Sequence, residues 1–205
     1  MPFNSPGYYI FFVAAFFIAF ALEGRAKLKA WVILALSLFF YASNNGWQVV
    51  ILLVVSTIDY FVCRLLERED DQRRRKMLVL VSVCSNLGIL GYFKYFNFFQ
   101  ANILSFAQQL GYQPSWVEIN VMLPVGISFF TFEALSYTID VYRRVIPAER
   151  RWHKLIFLVA FFPHLVAGPI VRASAFLPQI DAPRRLTTDR FELGLYLFIH
   201  GCSRK

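Results

Sequence analysis

The sequence predicts an all-α fold: a polytopic transmembrane helical bundle with one broken, re-entrant segment. Three observations carry this reading. The 205 residues are 58% hydrophobic and 18% aromatic, with 23 phenylalanines, well beyond the apolar content of an ordinary soluble domain. Lysine and arginine gather in short clusters beside the ends of long apolar runs, where cytoplasmic anchors sit. Residues 123–144, LPVGISFFTFEALSYTIDVYRR, read as a membrane helix with acids inside it.

The formal charge of +8 does not point to nucleic acid, because the cations mark the ends of spans. Cys63, Cys84 and Cys202 are odd in number and widely spaced, so they suit packing and make neither a disulfide framework nor a zinc site. His153, His164 and His200 lack metal-ligand spacing, so no metal site is expected. No H-E-x-x-H, G-x-S-x-G or Walker pattern is present.

Residues 8–22 are apolar and are followed by Arg25, Lys27 and Lys29, the reverse of the charge order of a cleavable signal peptide. The run is expected to be a retained anchor with its N-terminus outside, although Ala19-Phe20-Ala21 resembles a cleavage box. Residues 30–42 and 47–66 are two further runs joined by Ser43-Asn44-Asn45-Gly46, which predicts a tight external hairpin. Asp59 reads as an interfacial acid beside Arg64, with an internal polar role as the alternative.

Residues 64–76, RLLEREDDQRRRK, must be solvated and are placed in the cytoplasm. Residues 77–93 form the next span and end in an aromatic belt, where Lys94 reads as reaching for the headgroups; an inward-facing cation is the alternative. Residues 101–120 contain Gln108, Gln109, Gly111, Pro114 and Glu118 and no lysine or arginine, which suits an external loop with an amphipathic helix.

In residues 123–144, Pro124 and Gly126 mark the start of the helix. A spacing of seven residues returns a helix to nearly the same azimuth, so Glu133, Ser136, Tyr137, Asp140 and Arg144 are expected to form one polar stripe. Phe129, Phe132, Leu135, Ile139 and Tyr142 cover another face. Charges facing lipid cost roughly 2.5–3.5 kcal/mol each on insertion scales, so the stripe should face helices or a cavity.

A second basic loop follows, with Arg143, Arg144, Arg150, Arg151 and Lys154. Residues 155–171, LIFLVAFFPHLVAGPIV, are apolar but interrupted by Pro163 and Gly168-Pro169. Arg172, Arg184, Arg185 and Arg190 follow, so the segment is expected to dip into the membrane and return. His164 on this break is the best isolated site candidate, as a structural or a functional histidine. The last apolar run starts at Phe191 and stops about a dozen residues later, short of the roughly 20 a span needs, so the bundle is expected to be incomplete at its C-terminus. No soluble domain or repeat is evident.

A polar seam beside a broken helix fits a transporter, a channel part or an intramembrane enzyme about equally. LFFYAS at 38–43, STIDYFV at 56–62, LGYFKYFNFF at 90–99, LPVGISFFTFEALSYTIDVYR at 123–143 and FFPHLVAGPIVR at 161–172, with MPFNS at 1–5, resemble the N-terminal half of bacterial membrane-bound O-acyltransferases of the alginate O-acetyltransferase type. Enzymes that D-alanylate lipoteichoic acid are similar.

The resemblance implies that residues 1–205 are the N-terminal part of a single membrane domain in the bacterial inner membrane. It implies transfer of an acyl group, usually acetyl, from a cytoplasmic donor such as acetyl-CoA to hydroxyls of an exported polysaccharide such as alginate, with extracytoplasmic acetylation proteins as partners. The family's catalytic histidine is expected downstream of Lys205, so no catalytic residue is expected within the chain and it should be inactive alone, unless joined by a separately encoded C-terminal half. Glu133, Ser136, Tyr137, Asp140 and His164 would line or brace the acyl path. A noncatalytic scaffold binding the acetylation partners and a transporter-like protein are the alternative readings.

Overall fold

A computed structural model describes residues 5–22, 24–111, 119–165, 168, 170–181 and 187–203. Among them the regular structure is helical: α1 (Pro6–Ala21), α2 (Ala26–Asn45), a 3-10 turn at Gly46–Gln48, α3 (Val49–Arg68), α4 (Gln72–Gln109), α5 (Ile127–Tyr142), α6 (Trp152–Ala160), α7 (Ala173–Asp181) and α8 (Thr188–Ser203). Three helical stretches, Ala26–Ser43, Gly46–Arg68 and Gln72–Gln109, are long and apolar enough to cross a membrane.

Helices α3, α4 and α5 pack together at the centre, where Leu52, Val55, Phe130 and Ala134 are buried. Helix α6 packs against α2, α3, α5 and α7, and Leu155, Ile156, Leu158, Val159 and Ala160 are all at most 1% exposed. A helix that is apolar on every side can only be satisfied by such enclosure. At nine residues it is about 14 Å long, less than half the roughly 30 Å of bilayer hydrocarbon. Helix α1 lies at the edge, stacking Phe11 on Phe40 and placing the same ring edge-on to Phe162.

The basic segments share one end of the bundle. Arg144 pairs with Asp70 at 3.0 Å, and Trp31, near the start of α2, stacks on His153 at 4.5 Å. At the opposite end the Tyr41 hydroxyl donates to the Val125 carbonyl, and the side-chain amides of Gln48 and Asn97 donate to the carbonyls of Met122 and Val121. Buried Arg75 ties the basic end together by donating to the carbonyls of Leu66, Glu69 and Tyr142. Between membrane helices apolar burial supplies little driving force, so contacts of this kind and close packing fix the arrangement.

Three expectations are corrected. Residues 101–109 belong to α4, which runs unbroken for 38 residues, about 57 Å. No proline interrupts it, so the aromatic belt does not end the helix. Pro114 and Glu118 lie outside the described residues. The striped helix is shorter than residues 123–144: Gly126 adopts a left-handed conformation at φ 80° before α5, and Arg144, at φ 59°, lies beyond its end. Asp59 is fully buried instead of interfacial. Arg64 stands five residues on, at a different azimuth, and pairs with Glu67 at 3.0 Å.

Candidate functional site at the broken helix

Helix α6 stops at Ala160 because Pro163 cannot donate to a continuing helix and restricts Phe162 before it. The chain then turns, with the amides of His164 and Leu165 both donating to the Phe161 carbonyl. Ser37 of α2 accepts the Phe162 amide at 3.3 Å and donates to its own helix at Ile33, so a backbone group freed by the break is satisfied inside the protein. Gly168 donates to the His164 carbonyl, and any side chain there would overlap the backbone and Cβ of His164. The glycine is required by this close approach.

Beyond the break, α7 folds back along α6. Phe176 lies 5.7 Å from Phe157, 5.3 Å from Phe161 and 5.7 Å from His164 between ring centroids. Ala173, Ser174, Leu177 and Pro178 return to the loop at residues 146–151 from which α6 departs, forming with it a groove of about 650 Å³. Both ends of the segment therefore sit at the basic end. Pro169, Arg184 and Arg185 fall outside the described residues.

The turn delivers His164 to α5. Its Nε2 is 3.2 Å from Glu133 Oε1 and 3.0 Å from the Leu158 carbonyl, with His164 and Glu133 8% and 4% exposed. A carbonyl oxygen only accepts, so Nε2 carries the hydrogen and points it at Leu158. Glu133 Oε1 consequently has no hydrogen-bond partner of its own, although it is in ion-pair range of the ring.

The other stripe residues are not gathered at His164. Tyr137 is buried, and its hydroxyl accepts the Glu149 amide at 2.8 Å, bracing the loop at the basic end. Ser136 and Asp140 are half-buried. Phe129, Phe132 and Ile139 form the exposed face expected of them, whereas Leu135 is buried. Lys94 is exposed, with its Nζ 5.5 Å from the Tyr95 ring.

A second buried polar group gathers around Asp59, whose internal role was the alternative reading of the sequence and whose partners were not foreseen. Asp59 of α3 accepts from Ser82 and, at 3.0 and 2.9 Å, from Asn86 Nδ2, both on α4. Thr138 of α5 lies 3.4 Å from Ser82 and 3.5 Å from Cys63. The signal was present: Ser82 and Asn86 are four residues apart on an otherwise apolar run and so share a face.

The chain is similar along its whole length to bacterial proteins of one kind. It is 34% identical to the probable alginate O-acetylase AlgI of Pseudomonas aeruginosa over 206 residues, covering 100% of the chain and 39% of that protein. The chain is similar to members of the membrane-bound O-acyltransferase family. The corresponding protein of Azotobacter vinelandii is 32% identical over 98% of the chain and 40% of its own length. The peptidoglycan O-acetyltransferase of Helicobacter pylori is 27% identical over 99% of the chain and 43% of its own length. The chain therefore spans about two fifths of each of these O-acyltransferase relatives. No family model and no solved structure matches it.

Proposed function

We propose that this chain forms the N-terminal helices of an O-acyltransferase that acetylates hydroxyls of an exported polysaccharide, with alginate the first candidate. The observation that carries this reading is the similarity along the full chain to proteins named as O-acetylases of exported polymers. The basic end, where the positive-inside rule puts the cytoplasm of an inner-membrane protein, is where a soluble donor such as acetyl-CoA would arrive. Extracytoplasmic acetylation proteins would receive the group at the opposite face.

In this reading Glu133 and His164 hold the broken segment against α5 and so shape the acyl path. The catalytic histidine is proposed to lie outside positions 1–205, and the segment alone is proposed to be inactive. The test is chromosomal deletion of the coding sequence followed by measurement of acetyl esters on the exported polymers. Loss of those esters, restored by the gene in trans, is the expected result. Unchanged esters with altered export would replace this reading with transport.

A further inference from the structure

Around the loop between α3 and α4, Arg68 and Arg73 are left over beside a groove, and Lys76 is left over on α4. Glu67 pairs with Arg64 at 3.0 Å, Glu69 with Arg74 at 3.6 Å and Asp70 with Arg144 at 3.0 Å, while Asp71 caps the Arg73 amide and lies 3.9 Å from Arg74. Arg75 is consumed by backbone carbonyls. The guanidinium groups of Arg68 and Arg73 have no carboxylate partner among the described residues, and both line a groove of about 470 Å³. Below them its wall is apolar: Leu65, Met77, Leu78 and Val81 descend along the two helices toward the hydrocarbon, with Leu65, Met77 and Val81 more than half exposed. Unpaired positive charge directly above lipid-facing hydrophobic surface complements an amphiphilic anion.

We propose that this groove seats one anionic glycerophospholipid, its phosphate between Arg68 and Arg73 and an acyl chain along Leu65, Met77 and Val81. The two arginines supply charge-assisted hydrogen bonds to phosphate oxygens, for which the guanidinium fork is suited. The chain below them fixes the lipid at headgroup depth, distinguishing the site from a diffuse attraction of basic loops to an acidic surface.

The experiment is native mass spectrometry of the purified 205-residue chain equilibrated with equal phosphatidylglycerol and phosphatidylcholine. The parent should retain one phosphatidylglycerol in preference, and excess inorganic phosphate should not displace it. R68Q/R73Q should lower that retention about tenfold or more, as expected from two cations at the headgroup. R143Q/R150Q, which removes the same charge elsewhere at this end, should not. V81W, which fills the apolar floor with both arginines intact, should also lose the lipid. Equal loss in the two double variants, full retention by V81W, or displacement by free phosphate would each overturn the proposal.

Discussion

Glu133 Oε1 stands 3.2 Å from His164 Nε2, joining the middle of one buried helix to the turn that ends another. Replacing the carboxylate by an apolar side chain leaves a buried polar ring facing hydrocarbon, at a cost of about 1–3 kcal/mol. Glu133→Leu is therefore expected to be strongly destabilising and Glu133→Gln milder, because the amide remains polar. Phe132→Leu should cost less than about 1 kcal/mol, since Phe132 is 46% exposed. Reversible unfolding in mixed micelles measures all three, and equal stabilities would remove the structural role of the pair.

The Asp59 cluster makes a separate prediction. Ser82→Ala should cost about 1 kcal/mol, while Asp59→Leu should cost about 1–3 kcal/mol by leaving the Ser82 hydroxyl and Asn86 amide without their acceptor. If the pair deletion Asp59→Leu with Asn86→Leu is no better than Asp59→Leu alone, the energetic coupling argued for these residues is absent.

Glycine substitutions should separate close approach from mere helix weakness. Gly168→Ala would press on His164 and should lower the unfolding midpoint. Gly88→Ala and Gly91→Ala lie inside α4 with nothing near the added methyl, so each should be neutral or gain roughly 0.5–1 kcal/mol. A midpoint unchanged by Gly168→Ala would contradict the tight turn.

Much of this architecture was legible in the chain. The connection between α2 and α3 falls at Gly46, the last residue of the predicted turn, although Ser43, Asn44 and Asn45 are still helical, and Pro163 ends α6 by its chemistry alone. The exposed face carrying Phe129 and Phe132 follows from helical periodicity. What was not legible depends on neighbours distant in sequence. Asp59 looked interfacial because Arg64 was close along the chain, yet the residues that satisfy it are Ser82 and Asn86 on another helix. The stripe on α5 was a sound azimuthal argument that could not tell which turns of the helix would meet His164 and which, like Tyr137, would meet the loop at the basic end. The extent of α4 was missed because aromatic residues mark an interface without stopping a helix.

Arg75 offers a test of the basic end. Its guanidinium reaches two carbonyls at the end of α3 and one at the end of α5, a geometry a lysine ammonium cannot reproduce. Arg75→Lys should therefore lose on the order of 2 kcal/mol despite keeping its charge, from buried charge-assisted bonds worth about 1.5–3 kcal/mol each. Wild-type stability of that variant would mean the carbonyls are satisfied otherwise.

The central structural claim is that the segment broken at His164 leaves the basic end in α6 and returns to it in α7, held there by Glu133. Its most direct test is accessibility labelling of single cysteines at Arg150, Ser174 and Gln108, in a background freed of native cysteines, with a membrane-impermeant thiol reagent on sealed vesicles of known orientation. Arg150→Cys and Ser174→Cys should label from one side and Gln108→Cys from the other. Labelling of Ser174→Cys from the Gln108 side would show that the segment crosses the membrane, and would contradict the account.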